Sequence, residues 1–343
     1  MKKLFLIISA ILGISTIGYA ANEDPEIFDK VNKDIKPYIN IMPPGVKTIA
    51  CISPGSYPGS KLHRLGIEIL RKAGYKVKVM PHAFVREEGK NHAPVAGKVA
   101  DFYAAWNDPE VDMILCIRGG MGSENLLDNL DWKKLKKRPE LYVQGYSDAT
   151  LIVCALVARN NGHPIAGVMA GSLPGITADA IDAMKKINHG EQLGPIKVET
   201  LIPGDCRGLP LAGSLWKLCR LVDKNYCPDA TGRIIFIEAS KIKPEQVREK
   251  LQYMIDKKFF VGAAGVVFGQ FAKIDSPAEL QKVLKEIAPK FGVPVYNGYP
   301  FGHIPRCYSV DFSRSVEIRN GSVVFPAVEK KVTMLQNFLI KQI

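Results

Sequence analysis

The sequence contains no Cys-x-x-Cys and no His-Glu-x-x-His, the spacings that bring thiolates or imidazoles onto one metal ion, so it gives a zinc centre little support. No Walker-type Lys follows its glycine-rich turn at 118–122, and the glycines do not fall as Gly-x-Gly-x-x-Gly; a nucleotide-phosphate cradle is not indicated. Long charge blocks, low-complexity tracts and repeats at solenoid or propeller periods are missing, which argues against an array. The lysines are scattered along helix-like segments such as Asp131 to Lys137 and Lys241 to Lys250 without interleaved aromatics. They read as a solvated surface, and no nucleic-acid partner is expected. Beyond the first twenty residues no apolar run approaches the ~20 residues that span a bilayer.

What is present describes a globular chain. Its 343 residues, 47% hydrophobic and 23% charged, are enough for two domains of ordinary size. Lys2 and Lys3 precede an uncharged apolar run from Leu4 to Ile17 and then Gly18-Tyr19-Ala20-Ala21. This pattern is that of a signal peptide cut after Ala20, so a periplasmic or secreted protein is expected, with no stable membrane insertion once the signal is removed. An uncleaved anchor is the alternative; no Cys stands at the cleavage point to carry a lipid. Loss of Lys2 and Lys3 takes the net charge from +12 to +10, a balance that favours acidic partners. All seven cysteines lie in the mature chain, so at least one is unpaired. Cys51 and Cys116 sit in apolar runs as small buried thiols, while export leaves a disulfide elsewhere open.

A polar leading arm, 21–45, ends after Pro43-Pro44. Strand-like runs follow at Val46 to Ile52, Lys76 to Met80, Met113 to Ile117 and Tyr142 to Gly145. They alternate with helical patterns at Lys61 to Ala73, Lys98 to Asn107 and Ala149 to Asn160. This alternation predicts an N-terminal α/β domain over 46–165 with a largely parallel, flavodoxin- or Rossmann-like sheet. Ligands in such sheets bind outside the carboxyl ends of the strands, here the loops after Ile52, Ile117 and Gly145. Residues 166–209 lose periodicity and collect Gly and Pro, as a connecting segment would. A C-terminal α/β domain is expected over 210–325, with helices near Leu215 to Leu221, Pro244 to Ile255 and Pro277 to Ile287. Its strands are expected at Arg233 to Ile237, Ala264 to Phe268 and Val293 to Tyr296. An amphipathic helix over 326–343 would pack on the body or on a partner, which leaves a homodimer open.

Arg118-Gly119-Gly120-Met121-Gly122-Ser123 joins a buried strand to a helix beginning near Glu124. Such a turn can present a Ser hydroxyl beside unpaired helix N–H donors; equally, Ser123 can be a simple N-cap. Glu238 ends a strand, and His303 follows a Gly-rich turn after another. Together these residues supply a nucleophile, a base and a carboxylate to orient it, at the places where parallel sheets put active sites.

These blocks, with Gly145-Tyr146-Ser147-Asp148, Gly265 to Gln270 and Gly302-His303, occur in the order of the LD-carboxypeptidase signatures, and from about Val46 to Val324 the chain resembles that family. The resemblance implies a two-domain serine peptidase with its active site at the domain interface and a Ser-His-Glu triad. It assigns the catalytic roles to Ser123, His303 and Glu238, an oxyanion hole to the N–H groups of Glu124 and Gly97, and substrate contact to Gly120, Met121, Ser147, Asp148 and Ser214. It implies no metal or organic cofactor. The implied substrate is a murein tetrapeptide cut before its terminal D-Ala. The chain departs from the family pattern at Ala212-Gly213-Ser214, Met169-Ala170-Gly171 and Asp311-Phe312-Ser313, which leaves open a relative that cleaves peptidyl-nucleotide antibiotics. A periplasmic solute-binding protein is the rival from another class. N-terminal sequencing of the mature protein is expected to begin at Ala21, and an intact Met1 in a cytoplasmic fraction would contradict export.

Overall fold

The structure, a computed structural model, describes residues 34–329. The expected signal peptide, most of the leading arm and most of the expected C-terminal helix therefore lie outside the described residues. The first sheet is built from β1 (Thr48–Ile52), β2 (Lys76–Val79), β3 (Met113–Cys116), β4 (Tyr142–Gly145) and β5 (His163–Ala166). Ordered β2-β1-β3-β4-β5, they are all parallel, and the short β12 (Val310–Asp311) adds antiparallel to the β5 edge. That order is the flavodoxin one, with its switch point between β1 and β3. Strands β1 and β3 are buried along their whole length; near-continuous apolar runs such as Met113-Ile114-Leu115 are what a sheet covered on both faces requires.

The helices of this lobe are α1 (Lys61–Lys72), α2 (Val95–Asn107), α3 (Ser123–Asp128) and α4 (Thr150–Ala158). α2 begins a turn earlier than the apolar spacing predicts, directly after Pro94, whose fixed φ favours a helix start. The second sheet has eight strands. Its parallel centre is β8 (Cys206–Ser214), β9 (Arg233–Ser240), β10 (Gly265–Ala272) and β11 (Val295–Asn297). Antiparallel strands flank it: β7 (Glu199–Ile202) beside β11, and β13 (Val316–Arg319), β14 (Ser322–Phe325) and β6 (Leu193–Lys197) beyond β8. Helices α6 (Leu215–Leu221), α7 (Pro244–Asp256) and α8 (Pro277–Ile287) alternate with the parallel strands.

The segment 166–209 is more ordered than its composition indicates. It carries β6, β7, the start of β8 and α5 (Ala178–Asn188). α5 buries one face through Ile181, Met184 and Ile187, whereas β6 and β7 expose much of their length and carry no two-residue apolar repeat. The chain returns to the first lobe at β12, so the lobes are not successive in sequence. Residues 326–329 are not helical.

Arg314, almost fully buried, ties this return together. Its Nη1 donates to the carbonyls of Lys186 and Ile187 at the end of α5, and its Nη2 to those of Glu191 and Pro326, at 2.7 to 3.0 Å. The Lys186 and Ile187 carbonyls also accept from the Glu191 and Gly190 N–H groups, so there the guanidinium is a second donor, whereas it is the donor to Glu191 O and Pro326 O outside the helix. Arg314→Met should therefore cost about 3 kcal/mol by stranding buried acceptors, read as a lowered urea midpoint at unchanged slope.

Candidate active site

Four of the parallel strands end at one cleft, a cavity of about 810 Å³. On the first lobe, the loops after β1 and β3 part at the switch point and contribute Ser56 and Arg118 to Met121. The turn after β4 contributes Tyr146 and Ser147. The second lobe adds Ser214 at the end of β8, Trp216 and Lys217 on α6, and His303.

Ser147 lies at a strand–turn–helix junction: β4 ends at Gly145, a short 3-10 turn covers Ser147–Ala149, and α4 begins at Thr150. Its φ is +60°, a conformation that L residues adopt at a cost and that functional turns retain. The geometry thrusts the side chain outward, as in the nucleophile elbow of other hydrolases. Gly145 makes the turn feasible, since a Cβ there would lie 2.6 Å from that of Ala149.

Across the cleft, Glu238 is wholly buried in β9, and β8 sets Ser214 opposite it in register. His303 stands in the loop after β11. That loop is tied to β10 by Gln270 N–H donating to Phe301 O at 2.8 Å, and it is anchored by the fully buried Tyr299 and Phe301. Gly302, at φ +143°, lets the backbone pass against Glu238; a Cβ would meet the Glu238 Cβ at 3.1 Å. The imidazole then bridges the lobes: Nδ1 lies 2.6 Å from Glu238 Oε2, and Nε2 lies 2.9 Å from Ser147 Oγ. Tyr146 packs its ring on the imidazole at 5.2 Å; burial raises its phenol pKa, so it stays protonated. On the cleft wall, burial first and then Arg118 lower the pKa of His63. Its Nδ1 accepts from Ser60 N–H, so the neutral ring carries its proton on Nε2.

The hydroxyl facing His303 is thus that of Ser147, and the expectation that Ser123 is the nucleophile is corrected. Ser123 is the first residue of α3, fully buried, and its Oγ meets no hydrogen-bond partner. It does not cap the helix either, since Gly122 occupies that position. The strand-to-helix turn after β3 bends away through Gly120 and Gly122, both at positive φ, so the side chain at 123 points into the lobe. Gly97 and Glu124, expected to supply the oxyanion N–H groups, are not among the residues lining the cavity. Gly97 lies under the His82 ring, where a Cβ would be 2.6 Å from it, and Glu124 forms ion pairs with Arg220 and Lys224. Gly120, Met121, Ser147 and Ser214 line the cavity, whereas Asp148 lies beneath it, fully buried. The signal that marks Ser147 in the sequence is Gly145-Tyr146-Ser147 between a buried strand and an apolar helix.

Among the described residues no group of three or more His, Cys, Asp or Glu side chains is placed to hold a metal ion, and no helix is long and apolar enough to cross a membrane. The seven cysteines form no disulfide. Burial pushes the thiols of Cys51 and Cys307 up to about 12, so both remain protonated.

Fold and site together define a hydrolase of the serine carboxypeptidase class. The chain belongs to the LD-carboxypeptidase family: residues 49–167 match its N-terminal domain and 207–318 its C-terminal domain. Over 272 residues it is 25% identical to a Bacillus subtilis (strain 168) protein named "Probable murein peptide carboxypeptidase", an alignment covering 75% of this chain and 83% of that one. Among solved structures it resembles the muramoyltetrapeptide carboxypeptidase of Oxalobacter formigenes, with a TM-score of 0.72 at 21% identity, covering 82% of this chain and 100% of the other. It also resembles the microcin C7 self immunity protein MccF in complex with aspartyl sulfamoyl adenosine, with a TM-score of 0.69 at 18% identity over 84% and 98% of the two chains.

The closeness of Gly119 to the site gives a direct check. A Cβ on Gly119 would lie 2.8 Å from both Cβ and Oγ of Ser147, whereas one on Gly175 would meet nothing within 4 Å. Gly119→Ala should lower turnover by about 100-fold through displacement of the hydroxyl, and Gly175→Ala should leave it unchanged, measured as steady-state hydrolysis on folded variants.

Proposed function

We propose that the protein is an exported serine LD-carboxypeptidase that releases the terminal D-Ala of murein tetrapeptides. The observation that carries this reading is the unbroken series of hydrogen bonds from Glu238 through His303 to Ser147. A solute-binding protein has no need of such a series, which weighs against that rival. In the proposed reaction, Ser147 Oγ attacks the amide carbonyl as His303 Nε2 takes its proton. Glu238 holds the ring and balances its charge. The backbone N–H of Asp148, next after the nucleophile, faces the developing oxyanion beside the Gly119-Gly120 backbone. Breakdown of the adduct expels the amine of D-Ala, which receives the proton from His303, and water then hydrolyses the acyl group from Ser147. The murein substrate is supported by the family and by the name of the Bacillus subtilis relative. The net charge of +10 without Lys2 and Lys3 suits an acidic peptide. Export rests on the Lys-apolar-small pattern of residues 1–20.

Incubation with tetrapeptide and pentapeptide muropeptides should release D-Ala from the tetrapeptide alone. Ser147→Ala should lower turnover by about 10⁴-fold with an intact fold, while Ser123→Ala retains most of it. Cleavage of a peptidyl-nucleotide conjugate in place of the muropeptide would favour the alternative substrate, and full turnover by Ser147→Ala would remove the proposed mechanism.

A further inference from the structure

The reacting groups come from two lobes, so something must fix the distance between them. Asp148, adjacent to Ser147 and fully buried, is where four segments meet. Its Oδ2 accepts the Ser123 N–H at 2.9 Å, tying the β4 turn to the start of α3. The same oxygen lies close against Gly55 in the loop after β1, where a Cβ would come within 2.8 Å of it. Its Oδ1 faces Lys217 Nζ of α6, on the other lobe, at 2.5 Å; the Lys217 side chain is 14% exposed.

This pair is the inner end of a stripe. Arg220, one turn along α6, pairs with Glu124 of α3 at 2.9 Å, and Lys224, just past the helix end, pairs with Glu124 at 3.1 Å and with Asp128 at 2.9 Å. Three cations of the second lobe thus oppose three carboxylates of the first, from the solvent edge inward to the residue after Ser147. The outer pairs are half-buried to exposed, in contact with solvent, and contribute less each. The inner pair is largely buried and acts as a charge contact, since Asp148 Oδ1 meets no aligned hydrogen-bond donor; displacing Lys217 takes from the buried carboxylate its near counter-ion on the other lobe.

We infer that Lys217 is a positioning residue for the reaction: by holding Asp148 it lets the second lobe set Ser147 within reach of His303. This rests on the role proposed above for Ser147. The lysine acts through Asp148 rather than on the substrate, which separates it from a substrate-carboxylate anchor on the same wall.

The test is the rate at which a small fluorophosphonate labels Ser147, located by peptide mass spectrometry, alongside steady-state kinetics. Lys217→Ala should slow labelling and lower kcat by roughly 100-fold, the scale of an ångström-level misplacement, with KM changed by less than about threefold. Added ethylamine, which supplies an ammonium to the vacated site, should recover part of the labelling rate. Should Lys217→Ala not fold, Asp148→Asn combined with Lys217→Met removes both charges; it should label as slowly as either single change, as expected of partners in one interaction. Wild-type labelling of Ser147 with an unchanged rate in Lys217→Ala, or a raised KM at normal kcat, would overturn the inference alone. Absence of label on Ser147 in the wild type would overturn the nucleophile assignment and this inference with it.

Discussion

A single imidazole joins the two halves of this molecule's chemistry. His303 has one ring nitrogen on a carboxylate of its own lobe and the other on a hydroxyl of the opposite lobe. The bond to Glu238 is short and buried, where a charge-assisted hydrogen bond is strongest and an unpaired carboxylate most costly. It therefore fixes the ring. The ring in turn fixes where the other lobe places a hydroxyl, and the Ser147 side chain, leaving a sharp turn at positive φ, reaches that point. The folded arrangement of sheets, glycines and ion pairs can be understood as meeting that distance.

The glycines near the cleft serve close approach more than flexibility. Gly119 leaves room for Ser147, Gly302 for Glu238, and Gly213 for Thr150, whose Cγ2 would lie 2.3 Å from an added Cβ. Thr150 belongs to the first lobe and Gly213 to the second, so backbone from one sheet lies directly on the helix that follows Ser147. The Ser214 N–H donates to Thr150 Oγ1 at 3.2 Å at the same seam. Packing and polar contacts thus converge on one short segment, 147–150.

Much of this was legible in the sequence. Buried parallel strands are continuous apolar runs, so β1, β3 and β9 stand out, and a carboxylate ending such a run, as Glu238 does, is conspicuous. His303 was legible for the same reason, after a strand and a Gly-rich turn. The choice between two serines was not. Both Ser123 and Ser147 lie within two residues of a glycine at a strand-to-helix junction, and composition favours the turn with more glycine. What separates them is the direction of the Cα–Cβ bond, set by φ at Ser147 and by the bend through Gly120 and Gly122, and neither appears in a residue pattern. The segment 166–209 escaped for another reason: edge strands such as β6 and β7 expose alternate or successive residues and leave no apolar period to read.

The departures from the family pattern can now be placed by what they touch. Ser214 lies opposite Glu238 in the sheet register and also lines the cavity. Its backbone N–H is engaged with Thr150, so the side chain is the part free to vary without disturbing the seam. Met169 lines the same cavity, while Asp311 and Ser313 face His163 at 2.9 Å and join β12 to β5, away from the imidazole of His303. A change at Ser214 or Met169 therefore alters the surface a substrate meets while leaving the His303–Glu238 bond in place. The Asp311–His163 contact instead governs how the chain returns to the first lobe. The cavity surface at Ser214 and Met169 and the His303–Glu238 bond thus rest on different side chains, so the first can change in shape while the second keeps its geometry.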